Sequence, residues 1–154
     1  MIETPTIVQA AAQPVASIYL NVPVSEVRNV MGPGIHEVMS TLAAQGIKPA
    51  GAWLTYHHKA PREMFDFEIC VPVTTAVKPA GRVKPAQLRA VRVAKTVYTG
   101  GYEVLGDAWG EFMGWIAANG HKAAEDLWEV YLAGPETGQD PSKWRTELNR
   151  PLVG

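Results

Sequence analysis

Apolar side chains recur at Leu105, Trp109, Phe112, Met113 and Ile116, the three-and-four spacing that lines one face of an α-helix. Ile35, Val38, Met39 and Leu42 form the same stripe earlier in the chain. Gly46 and Gly120 follow the two stripes and supply stop signals. Gly32-Pro33-Gly34 is expected to delay or kink the first helix, because proline fits a helix only in its first turn. Around the helices, apolar runs and alternation predict strands at 15–22 and 88–98 ahead of them. Behind them come strands at 51–57, 64–71, 127–133 and 144–149.

The order strand, helix, strand, strand occurs twice because the chain repeats itself. Shifted by 74 positions, VMGPGIHEVMSTLAAQGIKPA (30–50) falls on VLGDAWGEFMGWIAANGHKAA (104–124), with nine of 21 positions identical. After a five-residue insertion in the polar stretch GPETGQDPSKW (134–144), FEICVPV (67–73) falls on TELNRPL (146–152). Glu68 then matches Glu147 and Pro72 matches Pro151. The chain therefore reads as one domain over 1–154, with a first repeat at about 5–73, a linker at 74–87 and a second repeat at about 88–154. The fold class is α+β: a duplicated unit with pseudo-twofold symmetry, an antiparallel sheet of about six strands, and both helices on one face. The apolar positions of the first strand in each half do not alternate in phase under the 74-residue shift, so its register is weak.

Two helices cannot cover both faces of such a sheet, so the helix-free face is expected to hold the functional groove. On LWEVYLA, residues two apart share a face. Trp128, Val130 and Leu132 are all apolar and are assigned to the helices; Leu127, Glu129 and Tyr131 fall on the other side. The repeat places Trp53, Thr55 and His57 where Leu127, Glu129 and Tyr131 stand, so one face collects all six residues. Glu129 replaces Thr55 and breaks the repeat. A carboxylate among aromatic rings suits an organic cation or a flat polar ligand, through cation–π attraction of about 0.5 to 2 kcal/mol and, in a partly dry cleft, a few kcal/mol of ion pairing.

Composition narrows the function classes. Fourteen basic and 15 acidic residues give a formal charge of −1 with no concentrated basic face, which argues against nucleic-acid binding by this chain alone. A single cysteine, Cys70, excludes an internal disulfide, and on its apolar strand it reads as a small buried residue. No apolar run is long enough to span a membrane and no signal peptide opens the chain, so a soluble, cytoplasmic protein is expected. His57 and His58 are adjacent and point to opposite faces, so no metal site is expected. Without a Walker loop, dinucleotide fingerprint, G-x-S-x-G or HExxH motif, no cofactor is expected either. Trp109, Phe112 and Met113 read as core. Tyr102, seven residues before Trp109, continues the helical stripe.

Three motifs in order, Gly100-Gly101-Tyr102 before the second helix, Glu129-Val130-Tyr131 on the next strand and Thr146-Glu147 with Pro151 at the end, resemble the gyrase-inhibitor-like small-molecule-binding domain. That family also supplies the effector domains of bacterial multidrug-responsive regulators. The resemblance covers almost the whole chain and implies a groove across the pseudo-twofold axis, with Glu129 as polar anchor for bulky aromatic or cationic compounds. Gly101 stands where proline is common, and the residues before the first strand are too few for a helix-turn-helix. Trp53, Thr55, His57, Tyr102, Leu127, Glu129 and Tyr131 are the candidate ligand-binding residues. Free-standing members that resemble hydrolases of cyclopropane-bearing compounds keep an enzymatic alternative open, with Glu129 and Tyr131 as catalytic residues. A third alternative is a protein-interaction module. The sequence leaves binding and hydrolysis unseparated, and it leaves the oligomeric state open.

Overall fold

The computed structural model describes residues 2–61 and 63–153, the side chain of Glu136 excepted. Its elements run β1 (Thr6–Ala10), β2 (Gln13–Pro23), α1 (Val27–Ala44), β3 (Leu54–His57), β4 (Met64–Pro72), β5 (Lys84–Leu88), β6 (Val91–Thr99), α2 (Leu105–Ala118), β7 (Lys122–Ala123), β8 (Leu127–Ala133) and β9 (Arg145–Val153). Eight strands pair in the order β1-β6-β9-β8-β3-β4-β2-β5, every pairing antiparallel, and the two-residue β7 adds to β9. Exchanging the two repeats reverses this order onto itself. The pseudo-twofold axis therefore passes between β3 and β8.

The fold is the expected α+β duplication, with an additional strand in each half. β1 pairs with β6 and β5 with β2, so each repeat lends its first strand to the edge of the other. All of β5 but its last residue, Leu88, lies within the stretch read as a linker. Both strands are five residues long and lie at sheet edges, where proline is tolerated and few apolar positions are needed, so neither shows a period-two signal.

Residues 32–34 do not delay α1, which begins at Val27 and carries Pro33 in its interior. Proline removes one N–H bond to the carbonyl four residues back. Asn29 and Pro33 both lie on the exposed side, where water can satisfy that carbonyl. With 18 residues against the 14 of α2, α1 has about one extra turn. Val15 pairs with Pro72 as Val93 pairs with Pro151, so β2 corresponds to β6 at a shift of 78 rather than 74; four residues preserve the face, and the first strands share no alternation because each buries consecutive residues on both faces. Both helices stop as read. Gly46 and Gly120 take the left-handed conformation (φ 68° and 75°), and Ile47 and His121 donate back to Leu42 and Ile116 at 2.9 and 3.0 Å.

α1 buries Gly34, Val38 and Leu42 against Ile18, Leu20, Phe67 and Ile69 of β2 and β4. Gly34 allows this close approach, since a Cβ at this position would sit 2.5 Å from Ile69 Cδ1 and force that side chain to shift. α2 buries Ala108, Phe112 and Ile116 against Ala94, Tyr98, Leu148 and Leu152 of β6 and β9. Each helix thus covers the outer strands of its own half. The central strands β3 and β8 lie between these two cores.

Candidate functional site

The face assignment on β8 is the reverse of the expected one. Trp128 and Val130 point to the helix-free side, where they join Val15, Leu54, Cys70, Leu88 and Val93 in an apolar cluster of their own. Leu132 is 38% exposed, beside a register shift in the β8–β9 ladder. Leu127, Glu129 and Tyr131 face the helix side, and Trp109 of α2 reaches Glu129. The expectation failed because both sheet faces bury apolar surface, so an all-apolar set does not identify the helix side.

The grouping of the residues is as predicted. The register pairs Thr55 with Glu129 and His57 with Leu127, and Tyr131 N–H donates to the Trp53 carbonyl at 3.1 Å. Because Thr55 is also the 74-residue counterpart of Glu129, the two equivalent positions face each other across the axis. The departure from the repeat lies at the centre of symmetry. Thr55, His57 and Leu127 are almost fully buried, and Glu129 and Tyr131 are each only 9% exposed.

Glu129 accepts from Tyr131 OH at 2.7 Å on Oε1 and from Trp109 Nε1 at 2.6 Å on Oε2. Among the described residues no lysine, arginine or histidine pairs with it. Burial pushes its carboxyl above the usual carboxylate range, against the two donors that favour the ion. Tyr131 is pushed well above the usual phenol range by burial and by the Glu129 charge. Its hydroxyl lies 2.7 Å from Thr55 Oγ1, which lies 3.1 Å from His57 Nε2. Burial, then the neighbouring His58, bring His57 down to about 4, and its ring stacks on Phe67 with centroids 5.4 Å apart.

Rings close over this polar floor. Trp53 stacks on Tyr131 with centroids 4.2 Å apart, and Tyr102 meets Tyr131 edge-on at 6.1 Å. Tyr102 lies in a 3-10 turn ahead of α2 rather than on the helix stripe, and Trp144 of the long hairpin leans on it at 5.1 Å. All seven candidate residues therefore lie near one another, on β3, β8 and the turn ahead of α2. Trp109, read as core, is the residue the sequence reading missed. Its counterpart 74 positions back is Ile35, so the comparison that singled out Glu129 would have marked it too.

The helix-free face carries shallow clefts of about 210 and 360 Å³ that meet at Glu68. Their charges are largely matched: Glu68 holds Ser17 and His58, each at 2.9 Å, and Asp126 holds Arg89 and Tyr56. Cys70 is buried there and its thiol is pushed up by burial. Among the described residues no group of three His, Cys, Asp or Glu could hold a metal ion, and no helix is long and apolar enough to cross a membrane.

A duplicated α+β domain with buried polar and aromatic groups at its symmetry axis matches a known family. The model of the GyrI-like small molecule binding domain covers residues 3–152, and the chain belongs to that family. Among solved structures, the C-terminal domain of EcmrR is 25% identical with a TM-score of 0.86, over 97% of each chain. In the EcmrR–DNA complex the identity is 26% and the TM-score 0.84, with 97% of this chain spanning 57% of that one. A hydrolase from Listeria innocua shares the fold at 11% identity and a TM-score of 0.66, over 97% of this chain and 91% of its own. SAV2435 bound to tetraphenylphosphonium shares it at 12% and 0.62, over 99% and 97%. Comparison with curated proteins gives no match.

Proposed function

We propose that this domain takes bulky aromatic, cationic or amphipathic small molecules into a groove over β3 and β8, for sensing or sequestration, with Glu129 as its anchor. The observation that carries the reading is a buried carboxylate met, among the described residues, only by the neutral donors Tyr131 and Trp109, next to stacked rings. Among the described residues such a carboxylate has no compensating charge, which a ligand cation would supply; at about 4 Å the attraction is about 4 kcal/mol at an effective dielectric constant of 20. Trp53, Tyr131 and Tyr102 offer the ring faces on which an aromatic cation packs. The tetraphenylphosphonium held by SAV2435, on the same fold, is a ligand of this kind.

The hydrolytic alternative uses the same pair, with Glu129 orienting water and Tyr131 donating a proton, and the Listeria innocua neighbour is a hydrolase. Burial and the Glu129 charge push the Tyr131 phenol upward, which works against its donating a proton to a leaving group. Fluorescence titration with a rhodamine dye tests the anchor. Glu129→Gln should weaken cation binding at least tenfold, about 1.4 kcal/mol, and leave a neutral aromatic of similar size unaffected. Equal affinity of the two proteins for the dye would remove Glu129 as anchor. Incubation with an electrophilic cyclopropane compound separates the chemistry, since only an enzyme accumulates product beyond one equivalent.

A further inference from the structure

His57 Nδ1 is buried and has no hydrogen-bond partner among the described residues. The other ring nitrogen begins a chain of contacts that crosses the symmetry axis: His57 Nε2 to Thr55 Oγ1, Thr55 to Tyr131 OH, Tyr131 to Glu129 Oε1, and Glu129 Oε2 to Trp109 Nε1. Counting protons fixes its direction. A carboxylate only accepts, so Tyr131 must give its single hydroxyl proton to Glu129 and Thr55 must give its own to Tyr131. His57 must then donate from Nε2, leaving Nδ1 as a bare acceptor.

With Glu129 protonated, the three bonds between Glu129 and His57 run the other way. Indole N–H is a donor only, so Trp109 keeps Oε2 as an acceptor and the carboxyl proton sits on Oε1, facing Tyr131. Tyr131 then donates to Thr55 and Thr55 to His57 Nε2, and the His57 proton must sit on Nδ1. The conversion takes up one proton. It enters at Nδ1, the Nε2 proton passes to Thr55, the Thr55 proton to Tyr131, and the Tyr131 proton to Glu129.

We propose that His57 is a specificity-determining residue of the groove, wired in series to Glu129 through Thr55 and Tyr131, so that the charge on Glu129 decides whether Nδ1 is an acceptor or a donor. This rests on the groove being the ligand site. A cation at Glu129 holds the carboxylate and the Nδ1 acceptor together, whereas a neutral ligand is matched by the protonated carboxyl, with the His57 proton on the buried Nδ1. The titratable groups facing the chain are Tyr102 beside Tyr131 and His58 beside His57. The other neighbours, Trp109, Phe65 and Phe67, do not titrate.

The test is the ¹⁵N imidazole spectrum of His57, assigned by the signal that His57→Gln removes, recorded from pH 5 to 9. At pH 9 the unsubstituted protein should carry the proton on Nε2. In Glu129→Gln the amide oxygen must accept from Trp109, so the amide N–H₂ faces Tyr131 and the His57 proton should move to Nδ1 at every pH where the ring is neutral. The same tautomer in both proteins at pH 9 overturns the wiring. Thr55→Val should uncouple the two positions, so that adding Glu129→Gln to it no longer changes the tautomer; a change that persists would also overturn it. Tetraphenylphosphonium, added at a pH where both tautomers are populated, should drive the ring to Nε2–H. Binding of this cation without that shift refutes the specificity role. Failure to bind it counts against the proposed ligand class, while the wiring is still decided by the Glu129→Gln comparison.

Discussion

Replacing His57 by glutamine measures how strongly the buried centre of the sheet excludes charge. The imidazole is 3% exposed, and burial brings its pKa from 6.5 to about 4. The unfolded chain therefore binds a proton that the folded one refuses. The resulting stability is fully present above about pH 6.5 and is lost as pH falls toward 4. A difference of about 2.5 pK units corresponds to about 3 kcal/mol over that window, a large share of the stability of a small domain. Glutamine can still donate to Thr55 from its amide, but it does not titrate. Urea denaturation of both proteins at pH 4, 5, 6, 7 and 8 separates this effect from the titration of carboxylates they share. The parent should lose about 3 kcal/mol more than His57→Gln between pH 7 and 4, with most of that loss already present at pH 5. Parallel profiles, within about 0.5 kcal/mol, would show that His57 titrates normally and is not held in a dry site.

Two further substitutions probe the scaffold and the cost of burying the Glu129 carboxylate. Gly34→Ala should destabilise the protein by about 1 to 3 kcal/mol in chemical denaturation, although alanine is the better helix former, because its Cβ would meet Ile69 and Ile18. A gain in stability would contradict the packing of α1 on the sheet. Glu129→Gln should raise the melting temperature at neutral pH even as it weakens cation binding. Because the folded carboxyl titrates above its unfolded value, ionisation costs stability as pH rises through 4.5, and the advantage of the variant should vanish below that pH. An unchanged or lower melting temperature at pH 7 would mean the carboxylate is adequately compensated within the protein.

Glu129, the central residue, was legible without coordinates because the chain carries its own comparison. Thr55 and Glu129 are equivalent positions, and a carboxylate replacing a threonine between apolar neighbours is a visible departure. Trp109 against Ile35 was an equally plain departure, but an aromatic residue on a helical stripe packs into a core equally well. Whether its indole N–H reaches a carboxylate depends on how α2 lies over β8. β1 and β5 were not legible because an edge strand of five residues needs little apolar surface, and their partners belong to the other repeat.

Local pattern determined the duplication, the two helices with their glycine stops, the central strands and the grouping of Trp53, Thr55, His57, Leu127, Glu129 and Tyr131 on one face. These follow from periodicities of 3.6 and 2, which act within a few residues. Tertiary structure alone decided which face that was, since both sides of the sheet bury apolar surface and the strand pattern is blind to which side a helix occupies. It also decided that Thr55 and Glu129 meet across the axis and that a hydrogen-bonded series joins Glu129 to His57. Those contacts depend on the register of two strands 74 residues apart, which the packing of both halves sets together.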